Sequence, residues 1–340
     1  MPDEWPIAAP PQEERQERSS TAYPAGGERR LAAVVQDFFL ADEARLTEQG
    51  RALMSAMLHH LVESIAVELR ARLEPEMAAG CAADAPELIA DLGRAGLIQD
   101  ETLVGLLLRR ADVQRLAQGG RGGRTLLQRW TADPDGDIAG AAMALVTARG
   151  RSRDRFGRTT LDLVDLPAPL AHGLVLAIAA ALGTRSGKES DSALAGAAAD
   201  LVRSQREERR LEELETALAE ALGPDRRRSP GLLVTLADEG DSSLLAAILA
   251  TEAGIPAEEA WSALLGGGER VALLLRLADV TRPEAGALLA ASGPALGLGD
   301  PVLAIETFDS LSAAAVEDAR SDYRLPPGYR RAARRLRRHG

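Results

Sequence analysis

One cysteine, Cys81, stands in 340 residues. That excludes a disulfide scaffold and any zinc or iron–sulfur site built from several thiolates. Aromatic residues make up 3% of the chain, and Val, Ile and Thr are also sparse, so the side chains that favour strands are scarce. Lysine occurs once, at Lys188, so 39 of the 40 basic residues are arginine. Such a bias follows from a GC-rich genome as readily as from guanidinium chemistry and names no function. The longest stretch without charge is the 19 residues 166–184, interrupted by Pro167, Pro169, His172 and Gly173. Its helical part, 170–182, has the length of a buried core helix rather than of a membrane span. The first residues, MPDEWP, lack a basic stretch followed by an apolar one, so no signal peptide is expected and a cytoplasmic setting is the default.

What the chain has in abundance is 63 Ala and 52 Leu, both strong helix formers. The expected fold class is therefore all-α. The net charge is −11 and unevenly placed. Residues 324–340 hold seven Arg and no acid, so the body before them carries −18. An acidic body repels nucleic acid and anionic membranes, whereas the basic tail attracts either.

Five prolines among polar residues mark 1–27 as a disordered arm. Thr47 is placed to cap a long helix ending before Pro75. Its apolar stripe (Leu53, Met54, Met57, Leu58, Leu61, Ile65, Leu69, Leu73) needs a partner helix or a second copy of the chain. Shorter helices are expected at 86–95, 101–110, 126–131 and 138–148, with Asp100 and Asp137 as caps and Gly119–Gly123 as a mobile link. A single helix is expected over 192–222. Beyond Gly223, stretches of about ten helical residues alternate with short turns (244–252, 257–265, 271–278, 284–291), the texture of HEAT-like helix pairs. The organisation expected is an arm (1–27), an N-terminal helical lobe (28–222), a C-terminal helix-pair lobe (223–323) and a basic tail (324–340).

Residues 148–158, ARGRSRDRFGR, followed by Asp165-Leu166-Pro167-Ala168 and the apolar helix, resemble sphingomonad-type members of the alphaproteobacterial family catalogued as domain of unknown function 2336. Leu108-Arg109-Arg110-Ala111-Asp112 and the run Ala253-Gly254-Ile255-Pro256-Ala257-Glu258 are similar to the same pattern. The resemblance spans residues 28–336. It implies an all-helical, HEAT-like, cytoplasmic protein and supplies no activity or catalytic residue.

Several local motifs suggest chemistry and then fail its requirements. Residues 183–189, GTRSGKE, imitate a phosphate loop but have three residues between the glycines and Glu189 where a hydroxyl should hold magnesium. Asp133, Asp135 and Asp137 alternate like calcium ligands, but Ile138 and Ala144 stand where the loop needs Gly and a bidentate Glu. His59 and His60 point about 100° apart on one helix and do not chelate one ion. Gly119–Arg124 is a single RGG-like instance without aromatics to stack on bases. No cofactor or metal is expected.

Two arginine clusters are left as candidate partner contacts. One is Arg149, Arg151, Arg153, Arg155 and Arg158, where Asp154, Asp162 and Asp165 offer internal pairing as the competing reading. The other is Arg330, Arg331, Arg334, Arg335, Arg337 and Arg338, for which docking on the acidic body competes with binding an acidic partner. The expectation is a non-catalytic helical-repeat scaffold with a protein partner. The alternatives are a nucleic-acid-binding repeat protein using these arginines and an enzyme with a cryptic site. The long apolar stripe also permits a homodimer.

Overall fold

The structure, a computed structural model, describes residues 46–120, 125–187, 190–204, 209–298, 300–326, 328–330, 332–333 and 336. These residues form helices and no strand; one isolated antiparallel bridge joins Arg153 and Thr159. Contacts group Thr47–Gly340 as one compact unit, and the all-α expectation is met.

The helices are α1 Glu48–Arg70, α2 Pro75–Gly80, α3 Ala85–Arg94, α4 Glu101–Ala117, α5 Leu126–Trp130, α6 Gly136–Arg151, α7 Ala168–Ser186 and α8 Asp191–Ser204. They continue as α9 Leu211–Ala221, α10 Gly223–Arg227, α11 Leu232–Asp238, α12 Ser242–Ala253, α13 Ala257–Leu264, α14 Gly268–Leu277, α15 Arg282–Leu296, α16 Pro301–Ser310 and α17 Ala313–Tyr323.

The caps explain the starts. Thr47 accepts a hydrogen bond from the Gly50 N–H at 3.0 Å and opens α1. Asp100 accepts from Thr102 and Leu103 at 2.8 and 3.1 Å and opens α4. Helix α6 is capped by Asp135, which accepts from Asp137 at 3.0 Å, so the expected cap is displaced by two residues. Loss of the α4 cap leaves two helix-end donors without their acceptor. Asp100→Ala is expected to lower stability by about 1 kcal/mol, checked by urea denaturation.

The apolar faces gather into two cores. Helices α1, α3, α4, α7 and α8 build the first, around Met57, Leu61, Ile65, Leu88, Leu103, Val175, Ile178 and Ala198. Met57, Leu61, Ile65 and Leu69 of the α1 stripe are buried here against α3, α4, α7 and α8, while Leu53, Met54, Leu58 and Leu73 are half-buried. The second core takes α5, α6, α9 and α11–α17. The cores therefore do not divide at residue 222: α5, α6 and α9 precede it yet pack with the helices that follow it. Helix α12 lies at the centre of the second core with ten of its twelve residues buried, which is why its sequence is apolar on every side. Helix α4 belongs to both cores, burying Leu103, Leu107 and Ala111 in the first and Leu116 in the second.

The single helix expected over 192–222 is two, α8 and α9. The first packs on α7 and α1, the second on α6 and α12, and one straight rod does not serve both cores. Among the C-terminal helices α12 packs on α13, α14 packs mainly on α16, and α15 packs on α11 and α16. Helices α1 and α7 are long and apolar enough to cross a membrane by length and composition. Here they pack on each other and their buried apolar residues line the first core, while Val67 and Leu176 are exposed.

Candidate functional site

The arginine run at the end of α6 divides into an inward part and an outward part. Arg149, on the last turn, faces α9 and the start of α12. It donates to both oxygens of Asp241 at 2.8 Å, to Glu215 Oε1 at 3.1 Å and to Ser243 Oγ at 2.9 Å. Glu215 is buried and its other oxygen lies 3.3 Å from Arg109, whose guanidinium also stacks 5.2 Å from the Trp261 ring centre. Arg110, the next residue on α4, lies 3.4 Å from Asp165 and 3.3 Å from Glu212. A chain of ion pairs thus runs from the first core (Arg110, Asp165) to the second (Arg149, Asp241).

Charges taken out of water are tolerated only with close partners. Burial opposes ionisation of Asp241, but the Arg149 charge and hydrogen bonds outweigh it and hold the carboxyl below its ordinary range. The same contacts push the Arg149 guanidinium further up despite its own burial. At the other end burial dominates: Asp165 is raised above the usual carboxylate range, with Arg110 only partly offsetting it. Glu212 has ion-pair neighbours but no hydrogen bond to either oxygen. One end of the chain is tightly bonded and the other loosely.

The outward part is a tight loop. Asp154 Oδ1 accepts from the N–H groups of Phe156 and Arg158, both at 2.8 Å. The Asp154 N–H donates to Arg158 O at 2.9 Å, and Thr160 N–H donates to Ser152 O at 2.9 Å. Gln114 of α4 accepts from Thr159 N–H at 2.9 Å and ties the loop to the body. Gly157, at φ 76°, supplies the left-handed residue the turn requires. On this frame Arg153, Arg155 and Arg158 are exposed, as is Arg151. Phe156 is 68% exposed, with the Arg155 and Arg158 guanidinium carbons 4.7 and 5.7 Å from its ring centre. Asp154 does not neutralise them by pairing. The Arg158 N–H, joined by the Phe156 N–H and the nearby Arg158 and Arg155 charges, holds its carboxyl below the ordinary value against burial. Among the described residues no ion pair engages Arg153, Arg155 or Arg158.

In the tail, Arg330 is turned inward rather than toward a partner. It is 2% exposed, lies 5.0 Å from the Tyr323 ring centre and sits 3.5 Å from Glu259. Arg331, Arg334, Arg335, Arg337 and Arg338 lie outside the described residues.

The weaker motifs are absorbed by structure. Gly183–Ser186 continue α7 as helix, and Arg185 pairs with Glu87 and Asp91 at 2.7 Å each. Asp133 pairs with Arg226 at 2.6 Å while Asp135 caps α6. His60 lies 3.3 Å from Asp162, and the nearby Glu63 pairs with Arg70. Cys81 is buried. Among the described residues no group of three or more His, Cys, Asp or Glu is placed to hold a metal ion. A cleft of about 480 Å³ is lined by Arg276, Asp279, Glu317 and Arg320 with three apolar residues. Arg320 lies 3.3 Å from Glu317 and 3.7 Å from Asp279, so acids and cations there answer each other.

Sequence reasoning missed Phe156, whose only signal was a lone aromatic inside an arginine run. It also missed Glu212, Glu215 and Asp241, which look like ordinary surface acids in the sequence. Comparison with known proteins adds no name: no family model, no curated protein and no solved structure matches the chain.

Proposed function

We propose that the chain is a non-catalytic helical interaction protein whose partner is another protein. The observation that carries this reading is the loop after α6. A hydrogen-bonded turn holds an exposed Phe156 beside the cations of Arg155 and Arg158. Exposed aromatic and arginine side chains on a rigid frame are the residue types that dominate protein interfaces. The internal use of Arg149, Arg185, Arg226 and Arg330 supports the same reading, because these cations are turned to acids of the chain while Arg153, Arg155 and Arg158 stand exposed. The HEAT-like stacking, the kinship with the domain of unknown function 2336 family, the cytoplasmic setting and the reading of α1 and α7 as packing helices belong to this proposal. The contact of α12 with α13 supports the stacking at one pair.

The test is retention from a cell lysate on the immobilised full chain and on Phe156→Ala, with and without nuclease. A discrete, nuclease-resistant protein is expected on the wild type. Retention of no protein, or loss of all bound material on nuclease treatment, overturns the reading in favour of its nucleic-acid or enzymatic alternatives.

A further inference from the structure

We infer that the loop of residues 153–158 recognises a short acidic peptide segment of its partner, with Phe156 as apolar anchor and Arg153, Arg155 and Arg158 as carboxylate clamps. The inference rests on the interaction-protein reading and names the chemistry of the partner at that surface.

Three features of the loop lead to it. The first is order before binding. Asp154 bonds to two N–H groups, the Arg153–Thr159 bridge closes the base, and Gln114 fixes the loop to α4. A loop already fixed in one shape loses little conformational freedom when a ligand arrives. The second is the form of the charge. Guanidinium groups offer paired donors that match a carboxylate in two-point contact. Here three of them stand in solvent while the one acid among them is bonded to backbone. The third is Phe156. Its exposed ring presents apolar area beside those cations, and the guanidinium groups already lie against it. A carboxylate that joins Arg155 or Arg158 therefore brings the next residue of its own chain to the ring.

Length decides between a peptide and a nucleic acid. The body before the tail carries −18, and its repulsion reaches about 8 Å at physiological salt. A short acidic segment confined to the loop stays within the field of the arginines. A phosphate backbone continues past them along a body of net negative charge, with a charge of its own at every step. The loop thus favours a few carboxylates around one apolar residue over an extended polyanion.

The experiment is fluorescence anisotropy with the full chain and a labelled twelve-residue probe of Asp and Glu around a central Leu. A matched probe with Ser for Leu and a twelve-nucleotide oligothymidine serve as comparisons. The Leu probe is expected to bind at low salt. Phe156→Ala should weaken it at least about 5-fold, and the pair Arg155→Gln with Arg158→Gln at least about 10-fold. The Ser probe should lose about as much on the wild type as Phe156→Ala loses on the Leu probe. All the substituted side chains are exposed, and unchanged thermal melting of each variant shows that the fold is kept. Equal binding by wild type and both variants, no binding of the Leu probe, or tighter loop-dependent binding of the oligonucleotide each overturns the inference. Lysate retention separates the two failures. A protein kept equally by wild type and Phe156→Ala removes the loop from the contact and leaves the interaction reading standing; no retained protein removes that reading itself.

Discussion

Arg149→Met is expected to lower the melting temperature at pH 7 by roughly 5 °C or more, from a loss of about 3 kcal/mol. Methionine keeps most of the volume and removes only the charge and its donors. Glu215 retains Arg109 at 3.3 Å, but Asp241 loses both of its 2.8 Å bonds. It keeps the Leu244 N–H at 3.3 Å and the Ser243 hydroxyl at 3.5 Å, too little for an ion out of water. The effect has a pH signature. In the wild type the Asp241 carboxyl is held below its ordinary value. The stability it contributes is in place above the ordinary carboxylate range, about pH 4, and is lost as pH falls through the depressed value. In Arg149→Met burial is opposed only by the Leu244 N–H and the Ser243 hydroxyl, and the carboxyl titrates upward. Its penalty is full at neutral pH and is relieved as pH falls through the raised value. The gap between wild type and variant is therefore widest near pH 7 and narrows toward pH 4. Adding Asp241→Asn, which keeps an acceptor for Leu244, should recover part of the loss at pH 7. Melts followed by circular dichroism at both pH values check this. Equal melting of Arg149→Met and wild type at pH 7 would show that the ion pairs between the cores carry no net stability.

The cores were largely legible in the sequence, whereas the bonds between them were not. The α1 stripe, the buried α7 helix and the caps Thr47 and Asp100 are patterns within a few residues, and periodicity exposes them. The bonds of Arg149 to Glu215 and Asp241 join positions 66 and 92 apart, and that of Arg109 to Glu215 spans 106. No local rule distinguishes Arg149 from Arg151 or Arg153 in the same run. The difference arises because α6 still presents one face to α9 at residue 149, and the chain leaves that face at residue 152. Two errors share this origin. The break between α8 and α9 and the placing of α5, α6 and α9 in the second core depend on which neighbour each helix meets. Phe156 shows the reverse case, for its surroundings are local. The Asp154 turn and Gly157 are readable as loop chemistry, and the arginine count drew attention away from the aromatic between them.

Gly120→Ala is expected to cost about 2–3 kcal/mol, although the sequence GGRGGR reads as a loose link. A Cβ at Gly120 would lie 2.3 Å from Glu239 O and 2.7 Å from its carbonyl carbon. Both are backbone atoms, so no side-chain rotation relieves the clash, and the turn itself must move. That turn is not free to retreat. The Glu239 carboxylate accepts from Leu126 N–H at 3.0 and 2.9 Å. Gly240, at φ 72°, approaches the same crossing from the other side, where its own Cβ would lie 3.0 Å from Ala117 Cα. Gly240→Ala should match Gly120→Ala, with left-handed strain of about 1 kcal/mol added to the contact. Gly105→Ala is the internal control. It lies on the exposed face of α4 with nothing within 4 Å of the added carbon, and it should gain about 0.5–1 kcal/mol from helix propensity. Urea midpoints should then rank Gly105→Ala above wild type and wild type above both crossing variants. If Gly120→Ala unfolds with the wild type, the end of α4 and the turn before α12 do not meet backbone to backbone. The contact that brings Arg109 and Arg149 to one carboxylate would then lose one of its supports.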